Sequence, residues 1–348
     1  MSEHTSTPEP SKEEILSSLR LRRIVRENHG KAINHCAFFT ERAQKGGIRA
    51  GNVLVTVGGD QVNFYDNAHC GDHLDIMSHF VVGGGVYFPD APQPESGEPP
   101  ELLTSTFLPH PTDALLAAAG TDATIHIISL TRSQEIAQLT GHTATITHLE
   151  THPTDDELLL SVGEDGTVRM WHVGARREVA RWSVKARCAT FHPNGLSFIT
   201  ASPRGVIRDW EIPDALLDLS ADDAAVYPHE TVETGLPVAQ VVETFHGGCC
   251  IDDIRYVDSR VLSKGVNGKV AFWDPLAEEI IHIFQVKGST GHNTCRLGIS
   301  TDGTHFCVGT PAGSVAVYSL AAGTLVSVLA HPRSNKAVRA CAFVEGDR

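Results

Sequence analysis

Aromatic residues make up only 6 % of the 348-residue chain, and its 28 Lys and Arg are outnumbered by 42 Asp and Glu, for a formal charge of −14. No long basic run occurs. Binding to a phosphate backbone draws on clustered cations that release counterions, so direct nucleic-acid binding is not expected and basic partners are favoured. The eight cysteines contain no C-x-x-C pair, and Cys249-Cys250 is the one close couple. Reduced thiols in the cytosol or nucleus fit this better than a disulfide framework. No stretch approaches the roughly eighteen apolar residues of a membrane span and no signal peptide is evident, so no membrane partner is expected. Catalytic residues, cofactor and metal are likewise expected to be absent. No G-x-S-x-G turn or nucleophile–base pair emerges, and His69, Cys70 and His73 lack a second cluster to complete four zinc ligands.

What the chain does have is a repeated strand pattern. In GHTATITHLETHPTDDELLLSVGEDGTVRMW, residues 141–171, three short runs are bounded by turn residues, which predicts three strands. His142 precedes the first, Ser161 lies on the second, Asp165 in the turn before the third and Trp171 on the third. Trp Nε1 can donate to a Ser, the Ser hydroxyl to a His ring, and the ring to an Asp carboxylate, a buried chain that stabilises when every member is satisfied. This structural tetrad is favoured over a hydrolase triad. The Gly-His start and Trp end at a period of about forty residues resemble the WD40 repeat.

Further third strands end at Tyr65, Ile128, Trp210, Trp273 and Tyr318. Their intervals are about 40 to 45 residues apart from two of roughly 60, which hold insertions at 83–100 and 213–248. Such insertions on a rigid propeller are where partner contacts tend to lie. The expected fold is an all-β, seven-bladed WD40 propeller over residues 20–348. Its last blade would begin at Lys336, be closed by an N-terminal strand from residues 19–28, and be incomplete at the C-terminus. Residues 1–19 are expected to be a flexible tail with a short helix, since Ser11 and Glu14 resemble a capping box.

The segments ENHGKAINHCAFF, LVTVGGDQVNFYD, the run from Leu115 to Val173, and IDDIRYVDSRVLSKGVNGKVAFWDP together resemble the EED/ESC family, the WD40 subunit of Polycomb repressive complex 2. The resemblance implies a nuclear, noncatalytic scaffold of a histone H3 lysine methyltransferase complex. It would bind an enhancer-of-zeste type SET-domain subunit on one face, contact other Polycomb subunits, and receive a histone H3 tail on the other face. The family holds trimethyllysine in an aromatic cage, where cation–π attraction contributes about 2 kcal/mol or more when desolvated. The matching positions are Asn34, Leu103, Cys295 and Arg296, none aromatic, with Thr147 and Asp252 at two polar contact positions. The acidic charge and Asp252 should then still attract a basic tail with little preference for trimethyllysine over lysine, and Arg296 at the rim should oppose a trimethylammonium. The alternative is a generic WD40 adaptor such as a ubiquitin-ligase substrate receptor. That class often shows W-D-x-R, whereas this chain has WHVG, WEIP and WDPL.

Overall fold

Short alternating runs cannot bury a face alone, so each pairs with its chain neighbours into an antiparallel sheet. The structure, a computed structural model, describes residues 11–20, 24, 29–42, 48–68, 74–82, 99–110, 112–217, 219–226, 230–232, 236–237, 240–288 and 295–344. Among these the strands form six sheets, not the seven expected from the repeat count. Blade one runs from His35–Arg42 to Asp75–Val81, blade two from Leu102–Leu108 to Gln134–Thr140, and blade three from Ile146–Thr151 to Arg177–Ser183. Blade four runs from Cys188–Phe191 to Leu236–Pro237, blade five from Ile251–Val257 to Glu279–Gln285, and blade six from Leu297–Ile299 to Thr324–Leu329.

Where the repeat count predicts a seventh blade, the described residues hold only a strip. Residues 336–344 belong to none of the sheets. Instead Arg296 N donates to Arg339 O at 2.8 Å, Val338 N donates to Thr310 O at 3.1 Å, and the Arg339 guanidinium donates to Asn34 Oδ1. The strip therefore spans from blade six to blade one. With its backbone bonds directed at blade six and no further described strand beside it, no sheet forms. The proposed closing strand at 19–28 lies mostly outside the described residues, as do 83–98 of the first insertion and His69, Cys70 and His73. Helix Lys12–Ser18, capped by Ser11 and Glu14 in reciprocal hydrogen bonds, lays Leu16 against Cys307 and Val317 of blade six.

The core sits between blades. Five apolar clusters each join one blade to the next, from blades one and two through to five and six. Between blades three and four, Trp182 meets Phe198 edge-on at 4.9 Å, the geometry that aromatic quadrupoles favour. In five blades the ladder between third and outer strands slips at the same place, just before Tyr65, Ile128, Trp171, Trp273 or Tyr318. A bulge there bends the strand and re-aims the next side chain, which is the landmark residue of its repeat.

The second insertion folds back on the propeller. Leu216 and Ala224 join the core of blades three and four, and His172 Nε2 donates to Leu219 O at 2.9 Å. Strand Glu230–Val232 then pairs in parallel with Arg177–Ser183 as a fifth strand of blade three. Leu236–Pro237 pairs with the third strand of blade four.

Candidate functional site: the mouth of the central channel

The polar landmarks of blade three form a continuous chain. Trp171 Nε1 donates to Ser161 Oγ at 2.8 Å, Ser161 lies 2.7 Å from His142 Nε2, and His142 Nδ1 lies 2.8 Å from Asp165 Oδ2. With the indole donating to Ser161, the hydroxyl proton is free to point at Nε2, and Nδ1–H then donates to the carboxylate. Burial works to raise the Asp165 carboxyl, but hydrogen bonds from His142 and Thr167 outweigh it and hold the group below the usual carboxylate range. Burial likewise lowers His142, against the opposing pull of Asp165. A Cβ on Gly163 would sit 2.4 Å from His142 Nδ1, so the ring requires glycine at that position.

Other blades keep parts of this chain that the sequence pattern did not single out. In blade five Trp273 Nε1 donates to Ser263 Oγ at 3.2 Å and His246 Nε2 lies 2.9 Å from the same oxygen. Asn267 occupies the place of Asp165, and His246 Nδ1 has no partner among the described residues. Burial, then Lys269, lowers His246 to about 4. The ten-residue spacing of Ser263 and Trp273, the same as that of Ser161 and Trp171, is the signal that could have found it. Blade four retains the first link alone, from Trp210 Nε1 to Thr200 Oγ1 at 3.0 Å.

The six positions matched to a histone-peptide face come from five blades and meet at one mouth of the channel, because each lies at or just before the start of a first strand. Asn34 donates to Leu102 O at 2.8 Å, beside Leu103, and accepts from Arg339. Cys295 N donates to Asp252 at 3.3 Å. Arg296 reaches across from blade six to donate to Thr147 O at 2.7 Å, while the Thr147 hydroxyl donates to Arg187 O of the link into blade four at 2.8 Å.

Two of these residues differ from their expected surroundings. Arg296 does not stand at the rim but is 9 % exposed and spans the opening. Asp252 is 4 % exposed and takes Lys264 Nζ on both oxygens, at 2.6 and 2.8 Å. Its charge is thus neutralised within the protein. Below the mouth is a cavity of about 390 Å³. Arg255 on its wall pairs with the buried Asp253 at 3.3 Å, and burial raises the Glu150 carboxyl to about 7 against the opposing charge of Arg255. Burial, reinforced by Arg296 and Arg255, holds His35 and His148 well below the ordinary imidazole value. Phe38, Phe107 and Phe343 line this cavity, but Phe38 is four residues further along the chain than Asn34, roughly 13 Å in an extended strand.

The family model for the WD domain, G-beta repeat, matches residues 133–172, from the outer strand of blade two to the third strand of blade three. The maize Polycomb group protein FIE2 is 23 % identical over 184 residues, 47 % of this chain and 45 % of FIE2. The Drosophila melanogaster Polycomb protein esc is 23 % identical over 279 residues, 72 % of this chain and 58 % of esc. The chain thus spans about half the length of these curated relatives. Among solved structures, a chain of Chaetomium thermophilum Polycomb Repressive Complex 2 superposes with a TM-score of 0.64 at 15 % identity, covering 87 % of this chain and 73 % of that one. A second structure of that complex, with trimethylated histone H3, gives a TM-score of 0.61 at 14 % identity over 83 % of this chain and 66 % of that one. The fold is that of a WD40 propeller, and the sequence resembles the EED/ESC family of Polycomb proteins.

Proposed function

We propose that this chain is a noncatalytic WD40 scaffold of a Polycomb-type histone H3 lysine methyltransferase complex in the nucleus. The observation that carries this is the convergence of residues from five blades on one channel mouth, in a chain whose sequence relatives are FIE and esc. The enhancer-of-zeste type catalytic subunit then docks as an amphipathic helix in a groove on the opposite face, through spaced apolar anchors. Affinity purification tests the class: a co-purifying SET-domain methyltransferase is expected. Crosslinks from that enzyme confined to the mouth at Asn34 and Cys295 would overturn the assignment of faces.

A histone tail at the mouth would be read with little regard to methylation. The matched positions carry no rings, so the contribution that separates trimethyllysine from lysine is missing. Arg296 occupies the opening, and Asp252 is already paired with Lys264. Titration of matched unmodified and trimethylated H3 peptides is expected to give affinities within about tenfold of each other, since a tenfold preference needs about 1.4 kcal/mol. A larger preference for the methylated peptide would show that other rings rebuild a cage.

A further inference from the structure

One pocket on the mouth-side face of this acidic chain is rimmed by cations. It is a cavity of about 390 Å³ between blades three and four, walled by Val184, Pro203 and Val206 and edged by Lys185, Arg204 and Arg208. Residues 184–187 link the two blades, and 202–206 form the hairpin between the second and third strands of blade four. Arg208 shares Glu243 at 3.4 Å. Lys185 and Arg204 are exposed, and neither forms an ion pair among the described residues. In a chain where acids outnumber bases, two such cations beside apolar walls are a local reversal of sign.

We infer that this pocket docks an acidic peptide segment of a protein partner, with an apolar side chain seated between the valines and carboxylates on the cationic rim. Charge complementarity supplies orientation and encounter rate, and the buried apolar anchor supplies most of the affinity. The apolar walls favour a peptide over a nucleic-acid backbone, whose contacts are almost wholly with phosphate. The site is separate from the channel mouth, so it does not depend on a histone tail or on the methyltransferase.

The test is fluorescence anisotropy on the full chain with a labelled probe, Glu-Asp-Leu-Phe-Asp-Glu. Three comparison probes accompany it: the Gln/Asn counterpart, a version with Gly-Gly in place of Leu-Phe, and an oligothymidylate. The acidic probe is expected to bind at least about tenfold more tightly than each of these, with affinity falling as salt rises. The double variant Lys185→Glu/Arg204→Glu is expected to lose at least about tenfold, and since both side chains are exposed its melting midpoint should stay near that of the parent. Arg208→Gln, which leaves the two unpaired cations in place, should lose less. No measurable binding by the parent, undiminished binding by the folded double variant, or equal binding of the glycine probe or the oligothymidylate would each overturn the inference. None of these outcomes bears on co-purification with a methyltransferase.

Discussion

In blade three the Arg169 guanidinium lies between Asp165, at 3.1 Å, and Glu178, at 2.7 Å. At the same places in blade two, His126 lies between Asp122 and Glu135, each at 2.7 Å. The outer frame of carboxylates is kept, but one cation is permanent and the other can lose its proton. The inner chain differs more. Where blade three has Ser161 and Trp171, blade two has Ala118 and Ile128, both fully buried. A blade therefore closes equally well around a satisfied polar chain or around apolar packing, and what changes is how the blade responds to truncation and to pH.

The largest expected effect comes from removing the shared carboxylate. Asp165→Ala strips partners from His142, Thr143, Thr167 and Arg169 at once, leaving a buried guanidinium with Glu178 as its remaining charged partner beside the Thr167 hydroxyl, and should cost about 3–5 kcal/mol. Asp122→Ala should cost only about 1–2 kcal/mol, because His126 can relinquish its proton. Thermal or urea melting of the two variants checks this, and equal losses would remove the distinction between the frames.

Next is the pH dependence of blade two. Burial opposes the charge on His126, but the hydrogen bonds it donates to Asp122 and Glu135 prevail and raise it to about 9. A raised folded-state value means that this contribution is complete below the ordinary imidazole value near 6.5 and is lost as pH rises through about 9. The loss should reach at most about 3 kcal/mol. His126→Arg, which copies blade three, should flatten the stability profile between about pH 7 and 10. An unchanged slope would show that His126 is not its source.

The smallest effect concerns blade five. Asn267→Asp would offer His246 Nδ1 the carboxylate that blade three has, and is expected to add about 1 kcal/mol. In the parent, His246 is lowered to about 4. Its share of stability is therefore present above about 6.5 and falls away as pH drops from there towards 4. The variant should narrow that window, and an NMR titration of His246 that stayed near its parent value would count against the pairing.

The partners of His142 lie within thirty residues of it on adjoining strands, so strand spacing alone brings them within reach. The blade count was not legible in the same way. Lys336 to Val344 has the apolar alternation of a first strand, but a sheet needs neighbours, and this strip instead spends its backbone on Arg296 and Thr310. The surroundings of the mouth follow the same division. Lys264 stands twelve residues after Asp252 in the adjoining strand, within reach of a register argument. Arg296 and Thr147 are 149 residues apart, and their contact exists only because the ring brings blade six opposite blade three.

The segment after Pro213 binds the outer edge of blade three through Glu230–Val232 and, a few residues on, the third strand of blade four through Leu236–Pro237. Mechanically it is a strap across two plates. A strand edge left open invites pairing with another chain, and here one such edge is occupied from within. Opening either blade must also peel the strap from the other, so amide hydrogens of blades three and four should exchange together as one cooperative unit, more slowly than those of blade one.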